Sequence, residues 1–260
     1  MKVISEGNTS YLDEAVDVLL AANHSAALTG AGISVGSGIP DFRSPGGLWT
    51  VYAPDEYATL DVFYTNPAKA WELYRELGKV LIGKTANAAH SALAELEQRG
   101  ILKGIITQNV DALHQDAGSE TVYEIHGDHQ TLQCLGCRYR ESVSREHYHS
   151  ENVPLCPRCQ FPLKPNVVLF GEAVRDFDQI ETFIAHCDLL LVAGTSAQVY
   201  PAAGIPQSIK QRGGVIFEFN QEAALSVDRF SGISSITDYF FHGDILQMLP
   251  MLMTAVDNRA

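Results

Sequence analysis

Ala26-Ala27-Leu28-Thr29-Gly30-Ala31-Gly32-Ile33-Ser34-Val35-Gly36-Ser37-Gly38 is an apolar run that opens into a glycine-rich segment. An uncharged run of this kind suits a strand buried on both faces of a parallel sheet. Glycines directly after such a strand let backbone N–H groups approach a pyrophosphate. The spacing is G-x-G-x-x-x-G, one residue longer than the usual dinucleotide fingerprint, so alone it is also compatible with a tight turn and no ligand. The continuation is more informative. Ile39-Pro40-Asp41-Phe42-Arg43-Ser44-Pro45-Gly46-Gly47-Leu48-Trp49 has two prolines and two glycines, which forbid a long helix. It sets an acid, an aromatic and a guanidinium on a loop over bound phosphates and ribose. Arg43 there neutralises phosphate, and Phe42 covers an aromatic ring.

Further apolar runs at 101–107, 188–193, 214–219 and 236–241 have the same buried-strand character. Helical patterns lie between several of them. Leu12, Ala15, Val16, Leu19 and Leu20 fall on one helix face, Asn87 is placed to cap a helix that Gly100 ends, and Pro201 suits the first turn of a helix stopping at Gly213-Gly214. A last helix starts near Asp244 and kinks at Pro250. Strands alternating with helices predict an α/β fold, a Rossmann-like parallel sheet covered on both faces. Ligands bind such sheets beyond the carboxyl ends of the strands. Three polar clusters stand at such ends: Thr107-Gln108-Asn109-Val110-Asp111, Gly194-Thr195-Ser196 and Asn220-Gln221-Glu222.

Two stretches break the alternation. Residues 40–83 are loop-rich and then helical from Pro67, and residues 129–163 are polar and rich in cysteine. They read as insertions forming one smaller domain, leaving 1–39, 84–128 and 164–260 to the Rossmann-like domain. Cys134-x-x-Cys137 and Cys156-x-x-Cys159, 18 residues apart, have the two-knuckle spacing of a tetrahedral zinc site. Gly136 and Pro157 fit the knuckle turns. Four sulfur ligands leave no position for water, so one Zn²⁺ would be structural. Arg138, Arg140 and Arg158 could offset the charge of the thiolates. Cys187, before an apolar strand, reads as a small buried hydrophobe, and His129, His147 and His149 read as solvated loop residues.

The composition is that of a folded chain, 46% hydrophobic and 19% charged over 260 residues. A net charge of −13 disfavours binding to nucleic acid or an anionic membrane, both of which use basic patches. No apolar run reaches membrane-spanning length, and the first residues carry none of signal-peptide length. Five cysteines without an export signal indicate a reducing compartment, hence a cytoplasmic protein.

The segments Gly30-Ala31-Gly32-Ile33-Ser34, Gly38-Ile39-Pro40-Asp41-Phe42-Arg43, Thr107-Gln108-Asn109-Val110-Asp111, His126-Gly127, the four paired cysteines, Phe170-Gly171-Glu172, Gly194-Thr195-Ser196 and Asn220 occur in an order that resembles the sirtuins, NAD-dependent protein-lysine deacylases, of the compact microbial type. The resemblance spans nearly the whole chain. It implies a large Rossmann-like domain and a small zinc-holding, partly helical domain, with NAD and an acyl-lysine protein or peptide entering the cleft from opposite sides. It implies NAD contacts for Gly30, Ala31, Gly32, Ser34, Asp41, Phe42 and Arg43. Gln108, Val110 and Asp111 would form the nicotinamide pocket, and Asn109 would hold the ribose hydroxyls and a water. Gly194, Thr195, Ser196, Asn220 and Gln221 would hold phosphate and adenosine ribose, and Asp244 would lie near the adenine. Residues 166–172, including Val167, Val168, Phe170, Gly171 and Glu172, would pair with the substrate peptide as an added strand.

The same resemblance makes His126 the catalytic base, a role suited to a group that titrates near neutrality. The products would be lysine, nicotinamide and O-acyl-ADP-ribose, with NAD consumed and no hydride moved. Sirtuins that remove succinyl groups carry Tyr and Arg three residues apart on the helix lining the acyl pocket; here Tyr74 is followed by Leu77. Arg75 lies about 100° round the helix from Tyr74 and does not replace that arginine. An uncharged acyl group, acetyl first, is therefore expected. Val110 departs from the family's frequent isoleucine, and Gln198 from its frequent apolar residue. Three other readings use parts of the same pattern. Mono-ADP-ribosyl transfer would leave NAD-derived label on protein, a dehydrogenase would raise NADH absorbance, and a zinc-ribbon binding module would release no nicotinamide.

Overall fold

The computed structural model describes residues 1–225 and 235–259. Its elements are, in chain order, β1 (Lys2–Ile4), α1 (Leu12–Ala21), β2 (Ser25–Thr29), α2 (Pro54–Tyr57), α3 (Leu60–Thr65), α4 (Pro67–Leu81), α5 (Ala88–Gln98), β3 (Leu102–Thr107), α6 (Leu113–Asp116), β4 (Val122–Glu124), β5 (Gly127–Cys134), β6 (Arg140–Ser142), α7 (Arg145–His149), β7 (Leu163–Val167), α8 (Phe177–Ile184), β8 (Leu189–Ala193), α9 (Ile205–Gln211), β9 (Val215–Asn220), β10 (Tyr239–His242) and α10 (Ile245–Asp257). A 3₁₀ helix, Ala31–Ser37, follows β2 in place of a long helix.

The apolar runs become a seven-stranded parallel sheet in the order β1-β10-β9-β8-β2-β3-β4. Side chains alternate across it. Ala27 faces a core built with Val16, Leu19, Leu93 and Leu252 of α1, α5 and α10. Ala26 and Leu28 face the opposite core, which α8 and α9 cover with Ile180, Ile184, Ile205 and Ile209. Burial on both faces explains why β2 and β8 lack polar alternation. The chain steps outward one way from β2 to β3 and β4, and the other way from β8 to β9 and β10. The order reverses between β2 and β8, so the crevice of a doubly wound sheet opens there.

The smaller unit holds an antiparallel sheet, β6-β5-β7. Both inserted stretches feed one apolar cluster: Phe63, Trp71 and Tyr74 from α3 and α4 pack with Leu132, Tyr148 and Leu163. The Trp71 indole donates to the Leu163 carbonyl at 2.8 Å, tying the helical part to the sheet.

Three expectations change, and one element is new. Residues 164–167 were grouped by sequence with the large domain, yet they lie in β7 and pair with β5; the polar Lys164-Pro165-Asn166 hides a strand that is buried throughout. His129 is not a solvated loop residue. It lies buried in β5, and the Tyr148 hydroxyl bonds both its ring Nδ1 and its carbonyl. Burial drives its pKa down to about 3. The helix expected from Pro201 begins only at Ile205, after a 3₁₀ turn at Ala202–Gly204. Pro206 has no N–H to continue an earlier helix, and it serves in the first turn of α9 instead. The edge strand β1 was not anticipated. Cys187 is buried as expected. Among the described residues no helix is long and apolar enough to cross a membrane.

At the switch point Gly194 has a φ of +65°, and a Cβ there would stand 2.4 Å from the Ile33 nitrogen. Gly194→Ala combines backbone strain with a clash against main chain that cannot rotate away. It should destabilise the protein by about 1–3 kcal/mol or more, read as a lowered midpoint in thermal or urea unfolding.

Candidate active site

A cavity of about 840 Å³ lies at the carboxyl ends of the central strands. Its floor is main chain against main chain. The Gly30 N–H donates to the Ala193 carbonyl at 3.0 Å and the Gly32 N–H to the Gly194 carbonyl at 2.8 Å. A Cβ on Gly32 would lie 2.7 Å from the Gly194 Cα. Such a floor suits the close approach of phosphates.

Polar side chains from neighbouring strand ends cross-link above it. Gln108 Nε2 donates to Thr195 Oγ1 at 2.9 Å, and Asn220 Nδ2 donates to the Thr195 carbonyl at 3.1 Å. Asn109 Nδ2 donates to the Gly30 carbonyl at 3.3 Å and to Ser34 Oγ at 3.1 Å. Ser34 Oγ in turn donates to Asp111 Oδ2 at 2.7 Å. The amide protons of Asn109 are therefore directed away from the cavity, and its Oδ1 has no partner among the described residues. Ala31, Asp41, Phe42, Arg43, Val110, Ser196 and Gln221 also line the cavity. Ser34 and Asp111 line a smaller adjoining hollow together with Asn109, Val110 and Leu77. Asp244 lines neither; its carboxylate accepts the Leu246 N–H and caps α10.

The loop over the floor is held by its own residues. Asp41 accepts the N–H groups of Arg43 and Ser44 at 2.9 and 2.8 Å and the Ser44 hydroxyl at 2.6 Å. Burial raises the Asp41 pKa, but these bonds outweigh it and hold the carboxyl below its ordinary value. Phe42 packs on Trp49 with ring centroids 4.9 Å apart. Arg43 makes no ion pair among the described residues, so its charge is free for an anion.

His126 follows β4 at the cavity wall. Its Nδ1 lies 3.1 Å from the Gln108 carbonyl. A carbonyl only accepts, so the ring proton sits on Nδ1 and Nε2 carries the lone pair. Burial lowers the His126 pKa against the opposing Gln108 bond, which favours the neutral ring. Gly127 has a φ of +77°, and a Cβ there would meet the Asn166 oxygen at 1.9 Å. Only glycine lets the chain turn here from the large sheet into β5.

The segment expected to receive a peptide is only partly open. Regular strand ends at Val167. Phe170 is occupied on both backbone sides, donating to Ala58 and accepting from Leu60 at 2.9 Å each. The Val168 N–H donates to the His126 carbonyl at 2.8 Å. The Val168 carbonyl and the Gly171 backbone remain without partners among the described residues. The Glu172 carboxylate, though at the cavity, is committed inward. It pairs with the wholly buried Lys164 at 3.2 Å and with Arg175 at 2.9 Å, and it accepts the Leu169 N–H at 3.2 Å. Burial pushes Lys164 down to about 8 against the pull of Glu172. Glu172 is thus an anchor of the segment that follows β7.

The apolar wall comes from α4 and its neighbours: Ala58, Leu73, Tyr74 and Leu77, beside Trp49 and Val110. The Tyr74 hydroxyl is buried without a partner. Arg75 points elsewhere, donating to the Ser150 and Glu151 carbonyls at 2.7 and 2.8 Å. Sequence reasoning missed Trp49, Ala58 and Leu73, and also Val199 and Tyr200 at the cavity rim. The four-residue spacing of Leu73 and Leu77 was the available signal for the wall. Gln198, noted as unusual, lines the cavity.

Away from the cavity, Cys134, Cys137, Cys156 and Cys159 bring their sulfurs within 4.8 Å of one another. The Cys134–Cys159 and Cys137–Cys156 pairs are 3.4 and 3.5 Å apart. Tetrahedral zinc with Zn–S bonds of about 2.3 Å needs sulfurs roughly 3.8 Å apart, so the donor set fits one structural Zn²⁺.

A model of the Sir2 family matches residues 30–201. An NAD-dependent protein deacylase of Thermococcus kodakarensis is 40% identical over 252 residues, covering 94% of this chain and 95% of that protein. A solved Sir2 homolog–NAD complex superposes with a TM-score of 0.84 at 36% identity, covering 95% of this chain and 94% of the other. A Sir2 variant solved with a deacetylated p53 peptide and 3′-O-acetyl ADP ribose gives 0.83 at 32% identity, covering 94% and 97%.

Metal analysis of the purified protein should return one zinc per chain. Cys134→Ala should lose it and lower the unfolding midpoint, because binding energy at such a site is folding energy. Fully folded, zinc-free protein would contradict the assignment.

Proposed function

The chain belongs to the Sir2 family and is an NAD-dependent protein deacylase, and from that premise we propose that it removes acetyl and other uncharged acyl groups from lysine side chains, with His126 as general base and Asn109 holding the reacting ribose. Bound NAD would supply an electrophilic ribose carbon with nicotinamide as leaving group, so that acyl-lysine, NAD and one water give nicotinamide, O-acyl-ADP-ribose and free lysine. The Gly30–Gly32 and Gly194–Ser196 backbone and Arg43 hold its phosphates, and Asn220 and Gln221 its adenosine ribose. Gln108, Val110 and Asp111 surround the nicotinamide.

One contact carries the reading. The Gln108 carbonyl fixes the His126 proton on Nδ1, which leaves Nε2 basic at the cavity wall. A neutral imidazole so oriented can take a proton from a ribose hydroxyl. Asn109, its amide protons spent on Gly30 and Ser34, presents Oδ1 as an acceptor for such hydroxyls. The peptide lies along Val167, Val168 and Gly171; the Val168 carbonyl and the Gly171 backbone, without partners among the described residues, support pairing with an extended chain and little choice of sequence.

The acyl group meets Tyr74, Leu73, Leu77 and Ala58. No cationic side chain stands on this wall among the described residues, since Arg75 is committed to Ser150 and Glu151 and Lys164 to Glu172. A succinyl carboxylate would lose its hydration without a partner, at a cost of several kcal/mol, whereas an acetyl methyl meets no penalty.

Removal of the base should cost rate more than affinity. His126→Ala is expected to lower kcat by about 10²–10⁴-fold while calorimetry still detects NAD binding; unchanged turnover would sink the assignment. The active form is the neutral ring, and burial holds its pKa below the ordinary ~6.5. The acid limb of kcat/KM should therefore fall below pH ~6.5, and a limb centred above that value would contradict the burial argument. In one peptide, acetyl-lysine should exceed succinyl-lysine in kcat/KM, and Leu77→Arg should narrow the gap. A preference of the unaltered protein for succinyl would overturn the acyl assignment.

A further inference from the structure

Behind the crevice lie two histidines that this reaction does not use. His90 on α5 and His114 on α6 are fully buried, and their rings meet edge to face with centroids 4.9 Å apart. Burial drives them down to about 4 and about 3, so both are neutral, each with one donor and one acceptor nitrogen. His90 Nδ1 accepts the Asn87 N–H at 3.3 Å, so its proton sits on Nε2. His114 Nε2 lies 2.8 Å from Thr29 Oγ1. Thr29 Oγ1 donates to Thr107 Oγ1 at 2.9 Å, and Thr107 Oγ1 accepts the backbone N–H of Asn109 at 3.1 Å. Both threonines are buried, at the last positions of β2 and β3. The hydroxyl of Thr29 is spent on Thr107, so it can only accept from His114, whose proton then sits on Nε2. His90 Nε2 and His114 Nδ1 have no hydrogen-bond partners among the described residues; the two rings meet only edge to face.

We propose that His114 is a positioning residue for the reaction: through Thr29 and Thr107 it fixes the backbone of Asn109. The proposal rests on the reading of Asn109 given above. Residues beyond Asn109 need such support, because Ala112, a non-glycine residue, is held at a φ of +62°. A turn under strain relaxes when its buried hydrogen bonds are removed. Asn109 would then shift against the ribose while the peptide segment at 167–171, held by its own bonds to Ala58, Leu60 and Glu172, would not.

The test uses the full-length protein with NAD and an acetyl-lysine peptide. Thr29→Val and His114→Leu are each expected to lower kcat by about 10- to 100-fold with the peptide KM unchanged. Combined, they should cost no more than either alone, because they cut one chain. His114→Gln, whose amide reaches the Nε2 position, should recover kcat, and His114→Asn, which reaches only Nδ1, should not. Wild-type kcat in Thr29→Val, with or without a lowered unfolding midpoint, would overturn the proposal, as would equal kcat in the Gln and Asn variants. If His114→Leu does not fold, Thr29→Val decides alone by the same criterion. Asn109→Ala separates the two levels. Lost turnover there with intact turnover in Thr29→Val refutes only the positioning role, whereas wild-type turnover in Asn109→Ala removes the reading of Asn109 and the proposal with it.

Discussion

The backbone of Gly32 touches the backbone of Gly194 across the line where the strand order reverses, with an N–H···O bond of 2.8 Å and no room for a Cβ on either side. Almost everything functional depends on that approach. It closes the floor between β2 and β8 with main chain in place of side chains. It also fixes the distance between neighbouring strand ends, which lets Gln108 reach Thr195 and Asn109 reach Gly30 and Ser34. A side chain between the loops would open the floor and break these links together.

The second half of the site is set by burial of charge. Lys164 is wholly buried beside Glu172, and Arg175 completes the group. Replacing such a pair by apolar residues is often neutral for stability, whereas removing one member leaves an unpaired buried charge, so the group is better understood as fixing geometry than as adding stability. It holds the backbone of Leu169 and so aims the segment from Val167 to Gly171 at the cavity. The zinc-ligand cysteines lie beyond, at the end of β5, in the turn between β5 and β6 and in the loop before β7, and brace the small sheet from which that segment emerges. His126 stands between the two halves, its ring bonded to the large domain at Gln108 and its carbonyl to Val168.

Local chemistry made much of this legible in the sequence. The glycines after the apolar run became telling only with the Pro- and Gly-rich segment that follows them, and two Cys-x-x-Cys pairs specify their own geometry. The start of the last helix near Asp244 was legible too, and in the structure the Asp244 carboxylate caps α10. What sequence reasoning missed was decided at long range. Glu172 turns inward because of Lys164, whose burial no neighbouring residue announces. His129 is buried because Tyr148 folds over it from α7. The strand β7 was obscured because Lys164, Pro165 and Asn166 are polar or lack an N–H, although all three are buried. The apolar wall of the cavity was only half visible, since Ala58 and Trp49 reach it from short segments without periodicity.

Mass spectrometry of the reaction with NAD and an acetyl-lysine peptide tests the central claim most directly. The account predicts that deacetylated peptide, nicotinamide and O-acetyl-ADP-ribose appear in equal amounts, with no NADH. ADP-ribose attached to the peptide or protein in place of O-acetyl-ADP-ribose, or acetate released without nicotinamide, would contradict it.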